Sequence, residues 1–367
     1  MSNTQYHSRV NALQSRMAAA GIDLTAVGPG AHMKYLLGFA PHADERPCLM
    51  LVSAKGSNML MPALNAEGSR QSTDQAFHLW SDDTGPNKAL KEALQSLGVE
   101  YAKLVSLDET MRSDFALLVL DSLPGAKHVF TEETVGALRL HKGDDEFKIL
   151  KENALINDRA FLAAAAAIKN GISELEVGAV VNAHHSSEGA RTAFCIVGAG
   201  GNGAFPHHAT GNTEVKNGDA IVVDIGGTRN GFPSDMTRMI LVGDAPEGYD
   251  EVHAIVEEAV QAAMAAAIPG VRAKVVDKAA RDVITKAGYG EYFVHRTGHG
   301  LGIEIHEPPY ITSTSETVLE EGTVFSIEPG IYLPGRFGVR LEDIVILRAD
   351  GPEILSELSR DAIVVES

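Results

Sequence analysis

The sequence has few cysteines, far fewer basic than acidic residues, and no long hydrophobic run. Its 367 residues include only Cys48 and Cys195, which form no C-x-x-C pair and argue against a disulfide framework. Lys and Arg number 31 against 49 Asp and Glu, and the resulting net charge of −18 repels nucleic-acid phosphates and anionic lipids. No apolar run approaches the ~18 residues of a transmembrane helix, and the first residues lack a signal-peptide layout. We therefore expect a cytoplasmic protein that binds neither nucleic acid nor membrane.

The composition is that of a globular protein, and the length predicts two domains. Over the first ~130 residues, strand-like runs such as Leu24–Val27 alternate with helical stretches such as Lys88–Leu97, which predicts a small α/β domain. A helical pattern follows over residues 133–169, with a break near Gly143. Beyond it, β-branched runs indicate an α+β domain with a mostly antiparallel sheet. The predicted domains are residues 1–132 and 133–367.

A glycine-rich segment, residues 198–203, formally matches the dinucleotide-binding pattern G-x-G-x-x-G. That fingerprint requires a helix that begins at the loop, whereas Pro206 disfavours helix at the preceding residue. The sequence also lacks the G-K-[ST] of a phosphate-binding loop. We expect these glycines to let the backbone approach a substrate closely instead.

Acidic residues interrupt several apolar runs, where a carboxylate is costly unless it is paired or bound to a metal. Asp224 and Asp235 flank an Asn-Gly turn signal, so an antiparallel hairpin would place them nearly opposite each other on one face. Glu328 and Glu342 are arranged symmetrically about Gly335 in the same way. Like charges at this separation destabilise each other unless a cation lies between them. Two hairpins that each supply two acids therefore predict a dinuclear metal site.

A segment rich in histidine and glycine, residues 295–302, lies between the two hairpins in the chain. Imidazole nitrogens combined with carboxylate oxygens suit Mn, Co, Zn or Fe. A single acid in a strand is ordinarily salt-bridged or exposed at an edge. Four acids placed symmetrically about two turns, with a glycine-flanked histidine between them, favour the metal site.

These motifs together resemble the pita-bread metallopeptidases, and within them the Xaa-Pro peptidases prolidase and aminopeptidase P. The resemblance covers about residues 133–367 and is carried by residues 223–224, 234–238, 298–300, 327–330 and 340–343. The first ~130 residues resemble the N-terminal domain of the family only loosely. The implied fold is an α+β pita-bread catalytic domain preceded by a smaller α/β domain.

The resemblance implies two divalent ions per subunit, with Mn or Co preferred and Zn or Fe also compatible with the ligands. Asp224 and Asp235 would hold one ion, and Asp235, His299 and Glu328 the other. Glu342 would bridge both ions. Glu328 would also act as the general base that activates water for attack on the bond before proline.

Further residues match positions that the family uses around its substrate. His207 and His306 would hydrogen-bond the developing oxyanion or the product carboxylate, and His295 would help wall the proline pocket. Arg340 and Tyr332 would contact substrate or support the ligands. Three other histidines match no such position and are predicted to be surface or loop residues: His184, His185 and His208.

The polar segment 40–46 resembles a loop that, in some prolidases, reaches across a homodimer to the partner's substrate site. His42 and Arg46 would then bind the free carboxylate of a dipeptide. This role requires a homodimer. Composition alone favours a solvated turn.

Two other classes of function stay open at this point. One is a metal-dependent non-peptidase hydrolase or lyase on the same fold, related to ectoine-derivative hydrolases or dimethylsulfoniopropionate lyases. The other is a binding protein on an inactive peptidase fold, as in some histone chaperones, which lose the metal ligands. We expect a metallo-exopeptidase that acts on short proline-containing peptides. The sequence does not decide between dipeptides and longer peptides, or which residue is preferred before proline.

Overall fold

The computed structural model describes residues 3–366, which form two compact units on either side of the bond between Arg139 and Leu140. The domain boundary expected after residue 132 stays a prediction. Within residues 3–366, none of the helices is both long enough and apolar enough to cross a membrane.

The N-terminal unit is built on one six-stranded sheet. Its elements, in chain order, are α1 (Asn3–Ala20), β1 (Leu24–Val27), α2 (Ala31–Leu37), β2 (Leu49–Ser53), β3 (Gly56–Pro62), α3 (Ala63–Arg70), β4 (Ala76–Trp80), α4 (Asn87–Leu97), β5 (Leu104–Leu107), α5 (Ser113–Asp121), β6 (Lys127–Phe130) and α6 (Val135–Arg139). The strand order is β4-β3-β2-β1-β5-β6, with parallel and antiparallel pairs. Central strands β1 and β2 are buried along their whole length, and Leu90, Leu94 and Leu97 of α4 pack in the same apolar core. This is the predicted α/β domain.

Over its described residues, 140–366, the C-terminal unit contains three sheets and four α-helices. Its elements are α7 (Asp144–Ala167), α8 (Glu174–Ser187), β7 (Arg191–Ala199), β8 (Ala220–Arg229), β9 (Phe232–Pro233), β10 (Met236–Val242), α9 (Tyr249–Ala266), α10 (Ala273–Lys286), β11 (Gly298–Gly300), β12 (Glu307–Ile311), β13 (Val324–Ile327), β14 (Gly330–Leu333), β15 (Phe337–Arg340), β16 (Asp343–Arg348), β17 (Gly351–Ile354) and β18 (Ile363–Val365). The orders are β18-β10-β8-β7, with β9 on β8, then β12-β11-β13-β16-β17, and β14-β15. Every pair is antiparallel except β10–β18, as the α+β prediction requires.

Alternation along β8 divides its side chains between two apolar cores. Val223 and Ile225 pack in a core that includes residues of α7 and α8, whereas Val222 packs in a core that includes residues of α9 and α10. Asp224 therefore lies on the same face as Val222. Its two neighbours in the strand, Val223 and Ile225, are both buried in the other core. The strand is rigidly held, and the direction of the Asp224 side chain is fixed with it.

Helix α8 begins with a capping box formed by Ser173 and Glu176. The Ser173 hydroxyl accepts a hydrogen bond from the Glu176 amide at 3.2 Å, and the Glu176 carboxylate accepts one from the Ser173 amide at 2.8 Å. The long helical pattern of residues 133–169 is divided into α6 and α7, because the chain breaks at Gly143 as expected. These helix starts fix the elements that surround the candidate site.

Candidate metal centre

The first hairpin turns at Asn230 and Gly231, which both have positive φ values of 54° and 81°. Its register pairs Asp224 with Thr237, so Asp235 lies two residues away from the position opposite Asp224, whereas the sequence predicts that the two aspartates are nearly opposite. The reason is that the turn centres between Asn230 and Gly231, one position later than the midpoint of the two acids. An offset of two keeps Asp235 on the same face as Asp224, as its diagonal neighbour.

The second hairpin passes from one sheet into another. Strands β13 and β16 pair in the larger sheet, β14 and β15 pair in the small one, and both ladders share a register centred on Gly335. Glu328 and Glu342 lie at the junction between the ladders, at facing positions of that register. The symmetry read from the sequence predicts this geometry correctly. The change of sheet at this point turns both carboxylates toward the first hairpin.

His299 lies in the short strand β11, between β12 and β13. A Cβ atom on Gly298 would collide with the Ser326 backbone oxygen, and one on Gly300 with that of Pro308, so only glycine permits this close packing. The Nδ1 atom of His299 lies 3.1 Å from a backbone carbonyl, that of Gly300, and must donate to it. Nε2 therefore keeps its lone pair, directed at the carboxylates, as a metal ligand requires.

The predicted ligands converge on one buried cluster. Potential ligand atoms of Asp224, Asp235 and Glu342 lie within 4.8 Å of one another, and so do those of His299, Glu328 and Glu342. His299 Nε2 is 3.3 Å from Glu328 Oε1 and 3.6 Å from Asp235 Oδ2. The two groups share Glu342, which is the position predicted to bridge two ions.

Two buried oxygen atoms of this cluster test whether a cation fits. Asp224 Oδ1 and Glu342 Oε1 have no hydrogen-bond partner within residues 3–366. The companion oxygens are satisfied, since Asp224 Oδ2 accepts from Arg340 at 2.6 Å and Glu342 Oε2 from Thr237 at 2.8 Å. A buried carboxylate oxygen without a donor is costly, and a divalent cation removes that cost. The oxygen and imidazole donor set suits first-row divalent ions.

Burial and mutual repulsion shift the pKa values in this cluster toward the uncharged forms. Burial raises the pKa of Asp235 and of Glu342 well above the usual range, and the neighbouring carboxylates raise them further. Burial also raises the pKa of Glu328 to about 7. Burial, and to a smaller extent the nearby His306, lowers the pKa of His299 to about 3. Without a cation, the cluster therefore holds protons that metal binding must displace.

The metal-free protein should lose thermal stability as the pH rises from 6.5 through about 7, the folded pKa of Glu328. An acid with a raised pKa stabilises the folded state when protonated, and this contribution is lost as the pH rises through the folded pKa, about 7 for Glu328. Burial lowers the pKa of His295 to about 4 and that of His299 to about 3. These histidines make the stability rise with pH, but only below the ordinary histidine pKa of 6.5, so they do not offset the loss above it. Calorimetry in chelator should show a falling Tm, and added divalent ion should abolish the fall. A Tm that rises over this range would contradict the assignment.

The cluster lies in a cleft of about 860 Å³. Four more predicted site residues line the same cleft: His207, His295, His306 and Arg340. The His306 ring packs edge-on against His299, with 4.1 Å between ring centroids. The Nδ1 atom of His295 donates to the Arg296 carbonyl, which leaves Nε2 as the acceptor nitrogen of this imidazole. The buried Tyr332 therefore donates its hydroxyl hydrogen to His295 Nε2, at 2.7 Å.

Thr237 is a member of the site that sequence reasoning missed. Its hydroxyl donates to Glu342 and accepts from Arg340 Nε at 3.1 Å, and Arg340 also contacts Asp224 and Tyr332. One guanidinium thus orients both hairpins. The sequence does contain a signal for Thr237: it follows Asp235 by two residues, so both side chains lie on the same face of the strand.

The remaining predicted residues lie elsewhere. His42 is exposed in the N-terminal unit, and Arg46 there forms a bidentate ion pair with Asp82, at 3.0 Å for both Nε and Nη2. The surface prediction is wrong for His185, which is fully buried and hydrogen-bonds Asn157 at 3.1 Å. His208 is partly buried against Glu174, and His184 is half-buried at the end of α8.

The glycine-rich segment does not place its backbone against the cleft in the way expected. It forms a short 3-10 turn, Gly200–Ala204, in which Gly203 packs against the backbone of Gly338 in β15. The glycines here allow two backbones to approach each other. No long helix begins at this turn in the described chain, so the strand–loop–helix arrangement of the dinucleotide fingerprint is not formed here.

Comparison with known proteins identifies the family. The model for metallopeptidase family M24 matches residues 148–349, and that for the creatinase/prolidase N-terminal domain matches residues 9–141. The chain belongs to metallopeptidase family M24. This confirms the predicted fold, a pita-bread catalytic domain preceded by an α/β domain, and the prediction of a metallopeptidase.

Several relatives match this M24 chain over nearly its whole length. A probable dipeptidase PepE of Mycobacterium tuberculosis is 35% identical, over 98% of this chain and 96% of that protein, and an Xaa-Pro dipeptidase of Pyrococcus horikoshii is 32% identical, over 97% and 99%. The crystal structure of dipeptidase PepE from Mycobacterium ulcerans gives a TM-score of 0.95 at 34% identity, covering 100% of both chains. A prolidase from Thermococcus sibiricus gives 0.90 at 35% identity, over 98% and 99%. These names do not favour a non-peptidase hydrolase, a lyase or a binding protein.

Proposed function

We propose that the protein is a two-metal Xaa-Pro dipeptidase, which removes the residue before proline from dipeptides. The observation that carries this proposal is the pair of buried carboxylate oxygens on Asp224 and Glu342, which have no hydrogen-bond donor within residues 3–366 and which a divalent cation would satisfy. Relatives of similar length that are named Xaa-Pro dipeptidase support the choice of substrate. We propose Asp224, Asp235, His299, Glu328 and Glu342 as the ligands of two ions, with Mn or Co preferred.

Bound divalent ions would supply Lewis acidity and lower the pKa of a water molecule toward neutrality. Glu328 would take the proton from that water as it attacks the carbonyl carbon before proline, and would pass the proton to the departing proline nitrogen. His207 and His306, which both line the cleft, would donate hydrogen bonds to the carbonyl oxygen as negative charge develops on it.

The wall around His295 suits a proline ring. Burial lowers the pKa of His295 to about 4, so the imidazole is neutral near pH 7 and presents an uncharged face. Phe293 packs edge-on against it at 5.2 Å, and Tyr332 holds its Nε2 atom. An Xaa-Pro bond has no amide N–H, so a site shaped for the ring does not need an acceptor there.

Assembly and location belong to the same proposal. We propose a homodimer in the cytoplasm, since both thiols are free and the loop at residues 40–46 would act across a dimer. The deciding assay measures release of the residue before proline from Xaa-Pro dipeptides and Xaa-Pro-Yaa tripeptides, with added Mn or Co, and the turnover of ectoine derivatives under the same conditions. Faster cleavage of the dipeptides than of the tripeptides supports the proposal. Turnover of the ectoine derivative without proline release would contradict it.

His207→Ala protein should retain its metal and lose roughly 10²–10³-fold in kcat, the usual cost of one oxyanion donor. His207 is exposed on the cleft wall, so its removal should not disturb folding. Metal analysis beside steady-state kinetics measures both quantities, with exposed His128→Ala in the N-terminal unit as the control. If His207→Ala strips the metal, the residue is a ligand and the role is misassigned.

Arg46→Ala protein should show a several-fold higher KM for Xaa-Pro dipeptides, with unchanged metal content and unchanged turnover of longer peptides. The guanidinium pairs with Asp82 in its own subunit, so binding a substrate carboxylate requires exchange of that partner. Asp82→Asn is the matched control and should lower the dipeptide KM. An unchanged KM in Arg46→Ala, or a strictly monomeric protein, would remove this loop from the site.

A further inference from the structure

The loop that carries His207 has little regular structure. It follows β7 and reaches β8 only at Ala220, and apart from the 3-10 turn Gly200–Ala204 it consists of turns and irregular segments. Pro206 and His207 at its centre line the cleft. A side chain on such a segment keeps a defined position only if the segment is anchored to a rigid element.

Glu174 supplies that anchor. It is the first residue of α8, and its side chain is completely buried. One oxygen, Oε1, accepts from the Ala199 amide and from Asn202 Nδ2, each at 2.9 Å. The other, Oε2, accepts from His208 Nε2 at 2.8 Å and from the Gly211 amide at 3.0 Å. A single carboxylate therefore collects four donors, all from the segment on either side of His207.

The backbone at the start of α8 reinforces this anchor. The amide of Glu174 donates to the Thr213 carbonyl, and that of Leu175 to the Gly211 carbonyl, each at 3.0 Å. These are helix-terminal amides that have no acceptor inside the helix. The capping box of Ser173 and Glu176 fixes the helix start on which both contacts depend.

We propose that Glu174 is a positioning residue for His207: its buried carboxylate holds the loop on both sides of this histidine and so sets the place of the imidazole in the cleft. The inference rests on the proposed function, which gives His207 its task. Hydrogen bonds to a charged acceptor are about twice as strong as neutral ones, so an ionised Glu174 makes a stiff anchor. Although burial alone would raise its pKa, the four donors lower it.

Glu174→Gln tests this directly, because the amide nitrogen cannot accept and two of the four donors lose their acceptor. We expect kcat to fall by roughly 10²-fold, as displacement of a catalytic group by about 1 Å can cost. KM and metal content should change little, since His207 would act in the transition state only. Glu176→Gln is the matched control: it has the same charge change on the same helix turn, the exposed Glu176 bonds Ser173 rather than the loop, and glutamine at this position retains the capping box.

Two readouts separate positioning from a merely structural role. In a His207→Ala background, Glu174→Gln should cost no further activity, whereas a full additional loss would overturn the proposal. Hydrogen exchange should be faster over residues 199–211 in Glu174→Gln and unchanged in Glu176→Gln. Unchanged exchange in both variants would also overturn it. Because exchange needs no substrate, failure of the proposed function leaves this arm decisive.

His208 offers a second route should Glu174→Gln fold poorly. His208→Ala removes one donor to the carboxylate, whereas His208→Gln provides an amide donor of similar reach. We expect a fall in kcat of several-fold for the alanine variant and its recovery in the glutamine variant. Equal activity of His208→Ala and the wild type, or equal loss in both variants, would contradict the anchoring role.

Discussion

Asp235→Ala and Glu342→Ala proteins should each lose bound metal and at least ~10³-fold in turnover, since Lewis-acid stabilisation of several kcal/mol disappears and each ~1.4 kcal/mol is a factor of ten. Ligand atoms of Glu342 belong to both buried groups, and those of Asp235 reach toward both Asp224 and His299. We therefore expect larger losses here than in Asp224→Ala or His299→Ala. Metal analysis of the purified variants and steady-state kinetics measure the two effects.

The control for these two variants is Glu353→Ala. Glu353 lies on β17 and pairs with Arg348 near the surface. The substitution removes the same charge as Glu342→Ala, from the strand that neighbours β16, which begins directly after Glu342. It should keep full metal content and activity. Near-normal metal content together with full turnover in either Asp235→Ala or Glu342→Ala would contradict the dinuclear centre.

Glu328→Gln protein should lose roughly 10²–10⁴-fold in kcat, the range for removal of a general acid–base group. The substitution keeps the size of the side chain, but the amide cannot take up a proton. It also replaces one of the oxygens near His299 Nε2, now 3.3 Å from Glu328, so metal affinity should fall as well. Kinetics at saturating metal separate the two losses.

A matched comparison for that variant is Ser326→Ala. The Ser326 hydroxyl donates to Glu328 Oε1 at 3.1 Å and accepts from the His299 amide at 2.9 Å, so its loss disturbs the orientation of both without removing the base. We expect a loss no larger than 10–100-fold, typical of a group behind a metal ligand. Glu328→Gln protein that retains more activity than Ser326→Ala at saturating metal would contradict the role of Glu328 as the base.

The second hairpin could be predicted from sequence more accurately than the first. Both hairpins were located from acids placed about a turn, and about Gly335 the arithmetic gives the true register. The first hairpin is centred between its two turn residues, Asn230 and Gly231. The midpoint of Asp224 and Asp235 lies one position earlier, so it gives the wrong partner for Asp224. Register depends on the turn type as well as on the spacing of the acids.

The residues that sequence reasoning missed act through contacts between distant parts of the chain. Thr237 bonds Glu342 across 105 positions, and Glu174 bonds the loop near His208 across 34. Neither residue type is unusual at its place in a strand or at a helix start. Burial of His185 was equally invisible, because it depends on the missing side chain of Gly227, against which the ring packs. Local pattern fixes elements and faces, whereas such pairings need the assembled fold.

The most direct test of the central claim is proline release from an Xaa-Pro dipeptide during a metal titration of chelator-treated protein. The account predicts no release before metal is added, and activity that rises with Mn or Co and saturates at two ions per chain. Saturation at a single ion would contradict the shared role of Glu342. Full activity in the presence of chelator, or no release at any metal concentration, would contradict the assignment of a two-metal Xaa-Pro dipeptidase.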